Sequence, residues 1–393
     1  MSAKVIDTIV VGGGLHGLSA ALHLARAGRR VVILERSWVG RHASGATAAG
    51  VRTLNRHPAE VPISLEAMQM WHHIEAIVGD GCGFHAHGTI NVAEYPGDLT
   101  LLEKRLAKMR EAGYRHEELI DRAELLRLIP PISPHCVAAM IARHDGAADP
   151  HLTLQAFRRS AEAAGVAIHE GLGVTAIERA GRDWRIRTDT RDFLAPTVVN
   201  AAGAWGGKIA AMMGDEIPLG YKASMMIVTE RIAPLLRPVV SMMSRPLSFK
   251  QSNRGTLVIG GGLQGSADIE AQKSFVNFPE LAKGAQAATD LFPCVGRVRI
   301  VRTWTGIEGT TTDHLPVIGA SPNASGCYHA FGFSGHGFQL VPVVGAILTD
   351  LIVHGSTNRP IESLGPERLI QRQAMRTIPV TDSRADNGIC IEE

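Results

Sequence analysis

Three glycines, Gly12, Gly14 and Gly17, follow the apolar run Val5 to Val11 at the spacing G-x-G-x-x-G, and a second apolar run from Arg30 to Leu34 ends on Glu35. Each residue type has a task at that spacing. Gly12 permits a tight turn, Gly14 lets the backbone approach a pyrophosphate, and Gly17 with Ala21 lets the following helix lie close on the sheet. Leu15 and His16 open that helix, whose unpaired N–H groups face the phosphates of a dinucleotide. Glu35, about twenty residues on, is placed to accept the ribose hydroxyls, with Arg36 beside it.

Other segments look built for the same ligand. Residues 38 to 57 are rich in small side chains, which suit a segment lying along a large flat ligand. Arg52, one of three arginines in this stretch, is either a site residue or a solvated loop residue. A buried strand, Thr197 to Asn200, leads into Ala201-Ala202-Gly203-Ala204-Trp205, a second close approach of backbone. A strand around Tyr328 to Ala330 feeds the turn Gly332-Phe333-Ser334-Gly335-His336-Gly337, and a long apolar helix follows. If a flavin ring lay there, the N–H groups of 334 to 338 and the positive helix end would stabilise negative charge on its reduced form. His336 is either chemical or a turn residue bonding backbone.

Composition sets the frame for these elements. The 393 residues are 45% hydrophobic and 20% charged, ordinary values for a globular enzyme. A net charge of +2 with no Lys/Arg run offers no nucleic-acid footprint. The start of the chain reads as strand rather than signal peptide, and the apolar segment Val341 to Val353 is thirteen residues long, short for a membrane span. Five scattered cysteines without a C-x-x-C pair suggest reduced thiols in the cytoplasm and no iron–sulfur ligation by this chain. His72-His73 and His85-x-His87 lack a third ligand at a usable spacing, so no metal is expected.

Helices are expected at Pro62 to Ile77, Thr100 to Glu111, Asp121 to Leu128 and from Asp149-Pro150 to about Ala164, with a strand at Val166 to His169 and antiparallel strands around Val174 to Ile177 and Trp184 to Thr188. Residues 216 to 299 read as an antiparallel sheet with strands at Ala223 to Thr229 and Thr256 to Gly260, where Met225, Met226, Met242 and Met243 are core filler. Past Pro366 the chain reads as a frayed tail.

The segments GGGLHGLSAA, VVNAAGAWG, TTTDHLPVIG and GFSGHGF follow one another as in the FAD-dependent D-amino-acid oxidase and sarcosine oxidase superfamily, over about residues 4 to 365. Within it, W-x-G-I-E-G at Trp304 to Gly309 is similar to the B (β) subunits of opine oxidases, hydroxyproline dehydrogenases and hydrogen cyanide synthases. The resemblance implies an α/β fold: a Rossmann-like FAD-binding domain (1–85, 145–215 and 300–370), an α+β substrate domain with an antiparallel sheet (86–144 and 216–299) and a C-terminal tail (371–393). It places Ser44 and the run Ala48, Ala49, Gly50 and Val51 beside the flavin, Val174 at the adenine, Ala202 and Gly203 at the pyrophosphate side, with Trp205 near them, and Gly335, His336, Gly337, Phe338 and Gln339 at the pyrimidine edge.

Three departures qualify the match. No cysteine stands at Trp304-Thr305, so the FAD is expected to be non-covalent. Val258 stands where single-chain oxidases carry an oxygen-activating lysine, which points to a dehydrogenase. Gln339 replaces a carboxylate-binding lysine, so carboxylate recognition is expected at Arg52, with His336 and Glu308 as tuning groups. The resemblance implies oxidation of an opine-like, hydroxy-D-proline-like or sarcosine-like amino acid or secondary amine by hydride transfer to flavin N5, giving an imine that hydrolyses. A companion subunit with an iron–sulfur cluster or second flavin would take the electrons. The alternatives are a self-sufficient oxidase making hydrogen peroxide and a flavin-binding assembly subunit with little activity alone.

Overall fold

The computed structural model describes residues 6–374 and is built on two large sheets. The first has six strands in the order Val317–Ala320, Cys327–Phe331, Thr197–Asn200, Thr8–Val11, Val31–Leu34 and Ala167–His169. All its pairings are parallel except that of the two strands at 317–320 and 327–331. Its inner strands read TIVV and VVIL because both faces are covered. Val10, Ile33 and Val199 face the helices Leu15–Arg26, Pro150–Ala163 and Gly337–His354. Ile9, Val32 and Val198 face Trp184, Ile186 and Phe193 of a three-stranded antiparallel sheet.

The second sheet has eight strands, ordered Ile300–Thr310, Gly220–Arg231, Thr256–Gly260, Ser248–Gln251, Val239–Met242, Thr89–Ala93, Ala138–Ala142 and Glu118–Asp121. It is antiparallel apart from one pair, Val239–Met242 beside the strand at 89–93. The strand Ile300–Thr310 pairs with Gly220–Arg231 along nearly its whole length, from Gly220 opposite Thr310 to Thr229 opposite Ile300. The boundary expected after residue 299 therefore falls about ten residues early. Hydrogen bonding to a long neighbour, which no local pattern announces, decides where this strand sits.

Local signals act as expected elsewhere. Asp149 caps its helix by accepting from the His151 and Leu152 N–H groups, with Pro150 at the first helical position. Asp121 caps Arg122–Leu128 through the Glu124 N–H. The segment after Pro366 is a helix, Glu367–Ala374, rather than frayed chain, and Arg368 ties it to Asp313 at 3.0 Å and to the carbonyl of Leu315. The rest of the expected tail lies outside the described residues.

Gly337–His354 is eighteen residues and apolar enough to cross a membrane by length and composition, longer than the thirteen-residue segment read from sequence. Its placement is that of a core helix: Leu340, Val341, Val343, Val344, Ile347 and Leu348 are all buried against the first sheet's helices. The contact with Leu15–Arg26 is backbone-close. Ser19 Oγ donates to the Val341 carbonyl at 2.7 Å, and a Cβ on Gly345 would stand 2.3 Å from that Oγ and 2.7 Å from the Ser19 carbonyl. Gly345→Ala should therefore force these helices apart, at about 1–3 kcal/mol. The thermal midpoint should fall by roughly 2–4 °C per kcal/mol lost; a midpoint equal to the parent protein's would refute the close packing.

Candidate active site

A cavity of about 1000 Å³ runs between the two sheets. At one end stand Gly12, Gly14, Leu15, His16, Glu35 and Arg36, with Val174, Ala202, Gly203 and Trp205 opposite. Gly12 has φ +110, and a Cβ there would lie 2.4 Å from the Ala201 carbonyl. Gly17 is not on the wall; its missing Cβ would lie 2.0 Å from the Gly12 carbonyl, so it serves the close helix–strand packing assigned to it.

The Glu35 carboxylate is held by backbone, accepting from Gly13 N–H at 2.7 Å and Ser37 N–H at 2.8 Å. Burial pushes its carboxyl up, and these two bonds oppose that. Leu15 N–H donates to Ser44 Oγ at 3.0 Å, which joins the small-residue segment to the start of the first helix. His16 stacks on Phe333 at 3.6 Å, and burial lowers its ring pKa to about 3, so it is neutral. Two helix N-termini, at Gly14 and at His336, thus meet at one cavity.

One closure of this end was not read from sequence. The hairpin Ser266–Asp268 and Lys273–Phe275 reaches over from the second sheet's part of the chain. Trp205 Nε1 donates to the Ile269 carbonyl, Ser37 Oγ to Gln272 Oε1, and Arg41 to the Gln272 carbonyl. Gln272 has φ +54, a conformation that no local sequence signal announces.

Nearer the second sheet, Ala48 and Gly50 are on the wall, whereas Ala49 and Val51 are sealed in the interior. Ala49 has φ +54 and only Gly50–Val51 is strand, so the backbone turns within the run and its four side chains do not share one face. Arg52 lines the cavity and donates to the Leu54 carbonyl. Arg56, which sequence reasoning passed over, lines it too and is 1% exposed. Its Nη2 reaches the His336 carbonyl at 3.3 Å and Gln339 Oε1 at 3.5 Å, its Nε reaches the Arg52 carbonyl at 3.1 Å, and its Nη1 has no partner. Burial, then Arg52, lowers its pKa to about 9.

Two carboxylates balance these cations. Asp145 accepts from Thr53 N–H and Oγ1 and from Leu54 N–H, while burial raises its pKa to about 6. Glu60 would be raised by burial, but His336 and the two arginines outweigh that and hold it low. His336 Nδ1 lies 3.2 Å from Glu60 Oε2, and burial takes the ring's pKa to about 4. Glu308 accepts from Ser224 Oγ at 2.6 Å and sits in register with Lys222; burial raises its carboxyl.

Gln339 does not reach the site. It is fully buried beneath the helix Val61–His72, donating to the Ser64 carbonyl at 2.7 Å and accepting from Ser64 Oγ at 3.1 Å. Its remaining contact steadies Arg56. Met225, Met242 and Met243 are core as expected, and Met226, Met242 and Met243 also line the cavity. No cysteine lines the cavity among the described residues, and these contain no cluster of three metal-binding side chains. The glycine cradles and the backbone-anchored carboxylate fit a dinucleotide.

Replacing Glu35 with Ala removes the carboxylate assigned to the ribose and leaves Gly13 N–H unpaired. FAD affinity should drop by about ten- to a hundredfold, the worth of a charged hydrogen bond. Flavin fluorescence on dilution reads this directly, and an unchanged dissociation constant would free Glu35 from that role.

Comparisons with known proteins agree with this geometry. The chain is 25% identical to the sarcosine oxidase β subunit of Rhizobium meliloti, covering 90% of this chain and 86% of that one. It is 26% identical to the hydrogen cyanide synthase subunit HcnC of Pseudomonas aeruginosa, over 90% and 94% of the two chains. It is also 26% identical to human mitochondrial dimethylglycine dehydrogenase, over 92% of this chain but only 44% of that longer protein. The structure of L-proline dehydrogenase from P. horikoshii superposes with a TM-score of 0.87 at 25% identity, over 94% and 99% of the two chains. The family model described as FAD dependent oxidoreductase matches residues 7–351, and the chain belongs to that family.

Proposed function

We propose that this chain oxidises the C–N bond of an amino acid or secondary amine. The observation that carries the reading is Arg56: a guanidinium 1% exposed, on the cavity wall, with one nitrogen unpartnered. A buried cation with a free donor end implies an anionic ligand. When bound, FAD supplies the hydride acceptor, N5 of its ring. Arg56 and Arg52 hold the substrate carboxylate, and Glu60 and Asp145 keep that pair of cations in place. His336, neutral above pH 5, can bond a ligand without adding charge. No carboxylate or imidazole has to act as general base, since the substrate ammonium can lose its proton to water beforehand. The second sheet covers the site and keeps water from it.

Two relatives are named as subunits, which supports a companion chain that takes the electrons onward through a cluster or second flavin. The buried thiols Cys82, Cys136 and Cys327, unpaired in the structure, support a cytoplasmic location. Among the described residues no cysteine lines the cavity, which supports non-covalent FAD.

Anaerobic mixing of the purified chain with sarcosine, proline and opine-type amines should bleach the flavin band. Arg56→Ala should raise KM by about ten- to a hundredfold. Arg52→Ala should act in the same direction but less, because its guanidinium already has a carbonyl partner. If no amine bleaches the flavin, or if Arg56→Ala leaves KM unchanged, the reading fails.

One observation favours the oxidase alternative. Lys250 stands directly across from Val258 in register, hence on the same face of the sheet. It is buried, its Nζ 3.3 Å from the Ala148 carbonyl, and burial lowers its pKa to about 8. The cation missing at Val258 is thus present one strand away. If it assists oxygen, reoxidation by air should slow as pH rises through about 8 and Lys250 loses its charge. Lys250→Met should then be slow at every pH; bleaching that persists in air at pH 7 would instead establish a dehydrogenase.

A further inference from the structure

Behind the loop Ala201 to Trp205, every residue of which is on the cavity wall, runs a line of buried polar side chains that takes no part in the site described above. Asn200, His329 and Asp215 are each 0% exposed, and none of the three lines the cavity. Asn200 ends the strand Thr197–Asn200, and His329 is its partner in register on the strand Cys327–Phe331. His329 Nε2 lies 2.8 Å from Asp215 Oδ2, and its Nδ1 lies 3.2 Å from Asn200 Nδ2. Asn200 Nδ2 also donates to the Gly206 carbonyl at 2.8 Å, and Asn200 Oδ1 accepts from the Ala202 N–H at 3.2 Å. One amide therefore ties the loop at both of its ends.

The proton positions follow from either end of this line. The loop presents a carbonyl at Gly206 and an N–H at Ala202, so the Asn200 amide meets them only one way round, with its NH2 toward Gly206. The second hydrogen of that NH2 then needs an acceptor at His329 Nδ1, which puts the proton of the neutral ring on Nε2. At the other end, burial would raise the Asp215 carboxyl, but bonds from His329, Ser321 and Asn323 outweigh it and hold it low. An ionised Asp215 only accepts, and so requires the same Nε2–H. Were the proton on Nδ1, ring and NH2 would meet donor to donor. Turning the amide over would then set Oδ1 against the Gly206 carbonyl and NH2 against the Ala202 N–H.

Stability alone does not account for these three. The apolar clusters at this point hold Ile209, Met213, Cys327, Ile217 and Phe331, and a carboxylate and imidazole buried in such surroundings are no better for stability than apolar side chains of their size. What the line supplies is a single backbone course. The loop needs one, since its residues 201 to 204 are alanine and glycine, Gly203 has φ +55, and the Ala201 carbonyl is the atom that a Cβ on Gly12 would strike. We propose that Asp215, His329 and Asn200 are positioning residues for the cofactor, fixing the course of the loop 201–206 so that FAD finds it already in place. The inference is independent of which amine is oxidised.

Dissociation constants of the full chain for FAD, read by flavin fluorescence on dilution, test it. Asn200→Leu should weaken FAD by about ten- to a hundredfold, since the Ala202 N–H and the Gly206 carbonyl lose their partner. Asp215→Leu should weaken it by about tenfold, although Asp215 bonds no atom of the loop. The double variant should be no weaker than Asn200→Leu alone, because Asp215 acts only through Asn200. His329→Phe should cost about tenfold. His329→Asn, whose carbonyl can stand where Nδ1 stood, should recover to within about threefold of the parent. Circular dichroism of the apoprotein reports folding, and Asn200→Ser, too short to span from ring to loop, takes the place of Asn200→Leu if that variant does not fold. An Asp215→Leu affinity equal to the parent's overturns the proposal. Losses that add in the double variant, or equal losses for Phe and Asn at 329, overturn it as well, since the three side chains would then serve the core alone.

Discussion

The arrangement depends on backbone running closer to backbone than any side chain allows. At Gly12 the chain passes the Ala201 carbonyl, at Gly17 the first helix passes the Gly12 carbonyl, and at Gly345 the late helix passes Ser19. These approaches bring the N-termini of two helices, more than three hundred residues apart in sequence, to a single cavity. A Cβ at any of the three would separate elements whose value lies in their convergence, because the field of a helix end falls off within its first turn.

A second constraint follows from burying cations beside that convergence. Arg56 is out of water and Arg52 half-buried; burial lowers both pKa values, Arg52 lowers that of Arg56 further, and two buried carboxylates balance them. The compensation is incomplete by one nitrogen of Arg56, since Gln339 and the His336 carbonyl use up only part of its guanidinium. A fold selected for stability alone would close that gap with one more acceptor. The gap is on a side chain that lines the same cavity as the glycine cradle.

Much of this was legible in the sequence where the signal is local. The glycine spacing, Glu35, the caps at Asp149 and Asp121 and the late glycine turn each state their geometry within a few residues. What stayed hidden was set by distant partners. Arg56 lies in a loop that looks solvated and becomes a site residue only because the helix at 61–72 and the turn at 336 close over it. Gln339, adjacent in sequence to the glycine turn, rotates away onto Ser64, since successive residues of a helix point in directions about 100° apart. The strand 300–310 joined the second sheet through its pairing with 220–231, and no pattern within it distinguishes one sheet from the other.

The lysine at 250 shows the same limit in sharper form. Reading position against position finds valine at 258 and infers a missing charge. In a sheet, though, the neighbours of a residue are those across the ladder as much as those along the chain. Lys250 faces Val258 and puts its ammonium against the Ala148 carbonyl, whose own N–H bonds the Ala49 carbonyl beside the cavity-lining Ala48 and Gly50. A charge can therefore move one strand over and still act on the segment that lines the cavity.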